Sequence, residues 1–361
     1  MSVGIFTFHR AINAGASLQA YALQTFLRNN GLDAEIVDFV PNSDISKPSF
    51  KRLFLHKMKC ILSSKTRKKD KLAKRYDGFR KKYIKLSAKT YNGDSEMLRA
   101  SLDYDCLISG SDQILNLTLS NNSISYYLPF KYHVNKISYA SSFGRSEISS
   151  NEKEAIKKYL VDFKELSFRE ESGYNIVYKE IGLKQRNIVV DPVFLLSKEE
   201  WNNLLKPKKR KKYMLAYCME YSPWMEKTII DVHKKNPELE LLLLVGSNCN
   251  YSFPFKTKKT IGADPLQFLS LIQGAEIIIT NSFHGLSFSI IFGKEVYCCS
   301  HSSRNARLTN LLSIICEKEK LIEKDTTEIY SIKLDGCPDK LNEVIKASKN
   351  YLLQAINGET I

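Results

Sequence analysis

"GAEIIITNSFHGLSFSIIFGKEV", residues 274–296, holds a complete structural sentence. Its apolar run 275–279 is short and rich in β-branched residues, which predicts a buried strand over 276–280. The next residues change character: Asn281 or Ser282 can cap a helix, and apolar residues then continue through a helix predicted over 284–292. A second β-rich run over 295–299 closes a strand–helix–strand unit. Such a unit joins parallel strands, so this stretch argues for an α/β fold. It also puts His284, one of only six histidines, in the first turn of the helix.

The same alternation extends outward in both directions. At the start of the chain, "VGIFTF" reads as a strand, 16–30 as a helix stopped by Gly31, and "AEIVDFV" as the returning strand, with a right-handed crossover expected. Further strands are predicted at 106–109, 136–140, 165–168 and 188–190, with helices at 151–162 and 171–181. A second set comprises strands 213–217 and 240–245 and helices 223–235 and 264–273, before the opening stretch. The lysine-rich segment 206–212 lies between the sets. We therefore expect two α/β domains with parallel sheets, residues 1–205 and 206–361.

The 361 residues, 43% hydrophobic, suffice for two cores. No apolar stretch reaches the length of a spanning helix and "MSVGIFTFHR" lacks the features of a signal peptide, so a cytoplasmic location is expected. The eight cysteines form no C-x-x-C pair, which argues against a zinc site or a disulfide framework, and no metal is expected. Cys298, Cys299 and His301 suggest ligands or a nucleophile with its base, but paired cysteines closing an apolar strand read as packing. They are assigned no chemistry.

The net charge of +15 is concentrated in two places. Residues 65–82 carry ten basic and two acidic side chains, and 206–212 carry six basic ones, leaving the remainder nearly neutral. No recognition motif accompanies either patch, so nucleic acid is not an expected partner. In the first patch Leu72, Tyr76, Phe79 and Tyr83 recur at helical spacing, within a basic amphipathic insertion at 50–82. Two readings fit this pattern: a helix lying on an anionic membrane surface, or a helix packed on the core.

In open α/β sheets ligands collect at the carboxyl ends of strands, beside helix N-termini with free amide hydrogens. The informative junctions are Thr7–Gly15, Ser109–Asn116, Ser141–Arg145, Arg169, Asp191 and Asn281–Gly285. Read in order, "GIFTFHRAINAGASLQAYALQ", "DYDCLISGSDQILN", "ISYASSFG", "LSFREESG", "VVDPVFLL" and the opening stretch resemble the polysaccharide pyruvyl transferase family. The resemblance implies a GT-B-like fold of two Rossmann-like domains with the active cleft between them. It further implies transfer of the three-carbon unit of phosphoenolpyruvate, as a ketal, to two hydroxyls of a sugar in a surface polysaccharide or its precursor. Phosphoenolpyruvate is then a co-substrate and no cofactor is needed. A GT-B glycosyltransferase using a nucleotide-sugar is the alternative.

Within that reading, the donor carries roughly −2.5 to −3 charges at neutral pH and needs cationic forks and helix amides. Arg169, just after a strand, is expected to grip carboxylate or phosphoryl oxygens, unless it pairs with Glu170 or Glu171. Asn281, Ser282 and Gly285 complete the donor side. Many relatives carry arginine in an R-x-H-G motif where this chain has Ser282, so Arg304 and then Arg307 are the expected replacement cations. His284 is the expected general acid, or a donor to the departing phosphate. Asp112 is expected to accept protons or hydrogen bonds from sugar hydroxyls. His9, Arg10, Asn13, Gly15, Ser111 and Gln113 accompany it on the acceptor side, in the first domain. The sugar acceptor is free or lipid-linked, which makes the inner face of a membrane a candidate location.

Overall fold

A computed structural model describes residues 1–41, 63–120, 122–130, 134–183, 187–206, 211–246, 249–302, 305–334 and 337–359. The first part of the chain runs β1 (Ser2–Phe6), α1 (Ala14–Asn29), β2 (Asp33–Val40), α2 (Ser64–Tyr83), β3 (Leu86–Asn92) and α3 (Gly93–Leu98). It continues with β4 (Cys106–Asp112), β5 (Asn135–Ser141), α4 (Ser150–Leu160), β6 (Glu165–Phe168), α5 (Glu171–Asn175), β7 (Asn187–Ile188) and α6 (Lys198–Asn203). The second part runs β8 (Tyr213–Cys218), α7 (Pro223–Lys235), β9 (Glu240–Val245), β10 (Thr257–Ile261), α8 (Pro265–Gln273) and β11 (Ile277–Thr280). It ends with α9 (Phe283–Phe292), β12 (Glu295–Cys298), α10 (Asn305–Ile314) and α11 (Asp339–Asn357).

The strands form two parallel sheets, ordered β3-β2-β1-β4-β5-β6-β7 and β10-β9-β8-β11-β12. Both orders reverse beside their first strand, between β1 and β4 and between β8 and β11. A crevice opens at each reversal, because the helices on either side leave in opposite directions. The expected pair of Rossmann-like domains is what forms.

Buried side chains from both sheets and the helices between them form a core shared by the two domains, and each sheet carries a further apolar cluster of its own. Trp201 of α6 is fully buried, meets Phe288 of α9 edge-on with ring centres 5.0 Å apart, and donates its indole N–H to the Val193 carbonyl at 3.0 Å. Such aromatic contacts fix the domains by shape as well as by buried area.

Two features depart from the expected organisation. The last helix, α11, returns to the first sheet: Asn135 donates to the carbonyls of Ala355 and Ile356 at 2.9 and 3.0 Å, and Val190 N–H donates to Ser348 Oγ at 3.0 Å. Residues 339–357 thus pack on the first domain, although they follow the second in sequence. The apolar face of α2 is also already occupied. Tyr76 and Phe79 are buried, Tyr76 donates its hydroxyl to the Ala263 carbonyl at 2.8 Å, and Phe79 and Tyr83 pack around Tyr21. This corrects the membrane-lying reading of that face: these rings belong to the core. The preceding part of the expected insertion, 50–62, and most of the linker, 207–210, lie outside the described residues.

Candidate active site

The carboxyl ends of the two reversal points face one another across a cleft of about 350 Å³. The first domain contributes the segment after β1 (Phe8, His9, Arg10, Asn13) and the end of β4 (Asp112, Gln113). The second contributes Tyr217 and Met219 at β8, Asn281, Ser282, Phe283 and His284 after β11, His301 after β12 and Arg307 on α10.

The stretch that decides the fold also builds the centre of the site. Ser282 is the N-cap of α9 and accepts the Gly285 N–H at 3.3 Å, so His284 sits in the first turn. Its ring lies against the N-terminus of α1 from the other domain: a Cβ built on Gly15 would stand 2.1 Å from His284 Nδ1. Gly15 is therefore required by the histidine, and Gly285 by packing, since a Cβ there would come within 2.4 Å of Thr280 Oγ1. Asn13 caps α1 by accepting the Ala16 N–H at 3.1 Å. Two helix N-termini, each with a positive end, thus converge on one imidazole.

Behind the histidine lies a buried charge cluster. His284 Nε2 is 3.6 Å from Asp191 Oδ2, which also receives Arg169 Nη2 at 2.9 Å. Arg169 Nη2 donates to Ser111 Oγ at 2.6 Å, and Nη1 lies 3.7 Å from Asp112 Oδ1. Burial pushes the Asp191 carboxyl up, but Arg169 and His284 outweigh it and hold the group down at about 2. Asp191 therefore remains a carboxylate beside the imidazole and orients it. Among the described residues, buried His284 Nε2 and Arg169 Nε and Nη1 meet no hydrogen-bond partner.

This geometry corrects the expected role of Arg169. Its side chain is 1% exposed and lies behind the cleft wall, buttressing Asp191, Ser111 and Asp112. Its partner is Asp191 and neither Glu170 nor Glu171. Arg307 does line the wall, 3.9 Å from Asp112 Oδ1; Arg169 and Arg307 both stack on the Phe283 ring, at 5.3 and 5.6 Å. Arg304 lies outside the described residues.

Other expected residues have local duties. The Asn281 amide is used by its own domain, accepting Met219 N–H at 2.8 Å and donating to the Glu220 carbonyl at 3.2 Å. Arg10 grips Asp38 through Nε and Nη2 at 2.9 and 2.7 Å, and His9 Nε2 meets the same carboxylate at 2.9 Å. Burial raises the Asp38 carboxyl, but His9, Arg10 and Thr90 together hold it far below the usual carboxylate range. Gln113 packs on Gly144, and Asp112 adopts φ 77, a left-handed conformation that aspartate tolerates better than most residues. Ser111, Gly15 and Gly285 support the wall without lining it.

Sequence reading passed over Asp38, Glu220 and the ring of Phe283, assigned no role to Asp191, and set His301 aside. Asp191 carried a signal, an acidic residue before proline at a strand end, but its partners lie far away in sequence. Cys298 and Cys299 are buried, and burial raises both thiols, that of Cys299 to about 12, so they remain protonated and unreactive. Among the described residues no group of three or more His, Cys, Asp or Glu side chains is arranged to hold a metal ion.

Comparison with known proteins agrees with this architecture. The family model for polysaccharide pyruvyl transferase matches residues 13–303. The chain belongs to the polysaccharide pyruvyl transferase family. No curated protein matches it. Among solved structures, MnaA of S. aureus with UDP gives a TM-score of 0.50 at 12% identity, over 97% of this chain and 87% of that one. A structure from Listeria monocytogenes assigned as a UDP-N-acetylglucosamine 2-epimerase also gives 0.50, at 9% identity over 98% and 95% of the two chains. The ADP-heptose LPS heptosyltransferase II of E. coli gives 0.38 at 13% identity, over 98% and 100%. The likeness to the two structures at 0.50 is one of fold, the GT-B-like arrangement of two parallel-sheet domains.

Proposed function

We propose that this family member transfers the pyruvyl unit of phosphoenolpyruvate onto two hydroxyls of a sugar as a ketal, in the synthesis of a surface polysaccharide or its precursor. The observation that carries the reading is the convergence of two helix N-termini on His284, with Arg307 on the same wall. A small, densely anionic donor needs amide hydrogens and a guanidinium, and its enol phosphate needs a proton at the methylene carbon. His284, held beside a carboxylate that stays ionised, suits that proton transfer. Asp112 and the segment after β1 face it from the first domain, where the sugar is expected.

The exposed cations of α2 suit an anionic lipid surface, so we extend the reading to work beside a membrane on a lipid-linked acceptor. Among the described residues no helix is long and apolar enough to cross one.

Two measurements test the donor. Phosphoenolpyruvate should raise the melting temperature of the protein, and a uridine diphosphate sugar should not. Incubation with phosphoenolpyruvate and a pool of methyl glycosides should yield a ketal detectable by mass. Stabilisation by the nucleotide-sugar alone would favour glycosyl transfer instead. Arg307→Ala should weaken phosphoenolpyruvate binding by on the order of 2–5 kcal/mol, because it removes a largely desolvated charge partner. Unchanged affinity in the folded variant would take Arg307 out of the donor site.

A further inference from the structure

Among the described residues, Arg10 is the guanidinium that the first domain places on the cleft wall. Its Nε and Nη2 donate to the two oxygens of Asp38 at 2.9 and 2.7 Å; the carboxylate is 7% exposed and the guanidinium side chain 30% exposed. Asp38 is fixed in turn from the other side: it meets His9 Nε2 at 2.9 Å and accepts the Thr90 hydroxyl at 2.6 Å. A guanidinium carries five N–H groups in a rigid plane, and the contact with Asp38 uses two of them. The other three, on Nη1 and Nη2, meet no acceptor among the described residues. Asp38 thus clamps one edge of Arg10 and leaves the other edge to the cleft.

The surroundings decide what that edge can take. Phe8, Pro41 and Leu119 line the same wall, and Leu119 and Ile12, two residues beyond Arg10, are 45% and 49% exposed. Such an apolar rim lowers the local dielectric and strengthens a charge pair formed beside it. The acidic side chain of this wall, Asp112, already lies between Arg169 and Arg307 at 3.7 and 3.9 Å, so it does not neutralise Arg10. Neutral sugar hydroxyls could be served by the amides of Asn13 and Gln113, which line the wall as well. The parallel N–H groups of a fixed fork instead match two oxygens of one carboxylate or phosphate.

We infer that the acceptor glycan carries an anionic group, a uronate carboxylate or a phosphate ester, and that Arg10, held by Asp38, binds it. This rests on the proposed pyruvyl transfer, which makes the bound sugar an acceptor and gives the facing wall, with Arg307 and the amides of α9, to the donor. Asp38 is a positioning residue, since it acts through the guanidinium.

The test uses the full chain with phosphoenolpyruvate and three acceptor pools: methyl glycosides, methyl disaccharides with one uronate residue, and glycosyl phosphates. One anionic pool should be converted to ketal with kcat/KM roughly 10- to 100-fold above the methyl glycosides, and which of the two responds tells carboxylate from phosphate. Arg10→Gln should bring that ratio to within about threefold of one. The same sugars without phosphoenolpyruvate give a second reading: the preferred pool should raise the melting temperature of the wild type and not of Arg10→Gln. The double variant Arg10→Gln/Asp38→Asn removes both charges at once, and it carries the same test where a lone buried carboxylate keeps the single variant from folding. Equal conversion of the three pools overturns the inference and leaves pyruvyl transfer standing. A preference that survives in the folded Arg10 variant also overturns it. So does loss of the phosphoenolpyruvate-induced stabilisation in that variant, which would move Arg10 to the donor site. Absence of ketal from every pool, with Arg10-dependent stabilisation by an anionic pool, defeats pyruvyl transfer and leaves the anion site standing; absence of both defeats the two together.

Discussion

A methyl group on Gly15 would stand 2.1 Å from Nδ1 of His284, far inside van der Waals contact. Gly15 lies in the first turn of α1, anchored by the Asn13 cap, so the imidazole is the partner that must move. Gly15→Ala should therefore reduce turnover nearly as much as His284→Ala, within the roughly 10²- to 10⁴-fold range of general acid–base groups, while circular dichroism stays unchanged. Wild-type turnover in Gly15→Ala would show that the position of His284 does not matter. Glu170 offers a second residue-scale test. Burial raises its carboxyl above the ordinary value, and Arg307 and the Ser142 hydrogen bond oppose this only in part. The folded state holds this proton more tightly than the unfolded chain, so the associated stability is complete below the ordinary glutamate pKa and declines as pH rises through the raised one. Glu170→Gln keeps the shape without the charge, and its melting temperature should exceed wild type at pH 8 by more than at pH 5. An equal offset at both values would contradict a buried acid. What could be read at this scale without a structure follows from distance along the chain. Ser282 and His284 belong to one local turn and were legible. Arg169 was visible as a cation after a strand, but its carboxylate partner, Asp191, comes from a different segment, so its inward orientation was not.

At the scale of elements, the strands found in the sequence are those with a continuous apolar run, such as β8 and β11, which lie inside a sheet. The two missed strands, β3 and β10, lie at sheet edges and are mostly exposed, with Lys89, Lys258 and Lys259 among their residues. Edge strands present charge to solvent and so lose the apolar pattern by which strands are recognised. The same ambiguity affected α2: a basic helix with an aromatic stripe has one sequence pattern whether the stripe meets lipid or protein. Here Tyr76 is buried and bonded to the Ala263 carbonyl, in the second domain. Tyr76→Ala should cost on the order of 3–5 kcal/mol, as for other large buried aromatics, and replacing Lys68 or Lys69 should change stability by less than about 0.5 kcal/mol. Chemical denaturation measures both. A Tyr76→Ala variant as stable as wild type would return the stripe to a membrane role.

For the whole molecule, this occupied stripe changes how a membrane could be met. Arg67, Lys68, Lys69, Lys71 and Lys74 remain exposed on α2, whereas Arg75 is partly engaged by Asp264 at 3.5 Å. Each basic residue close to an anionic surface contributes about 1 kcal/mol, so these five together supply roughly 5 kcal/mol at low salt. With Tyr76 and Phe79 withdrawn into the core, these residues add no hydrophobic insertion. Attraction of this kind should disappear when salt shortens the Debye length from about 30 Å at 0.01 M to about 3 Å at 1 M, whereas an inserted apolar face would persist. The protein should sediment with phosphatidylserine vesicles at low salt and be fully released at high salt. Replacing the five cations with glutamine should abolish sedimentation while leaving transfer to a soluble acceptor unchanged, since none of them lines the cleft. Sedimentation that survives high salt would reveal an inserting surface elsewhere, and no sedimentation at low salt would reduce the +15 charge to a solvated face with no lipid partner.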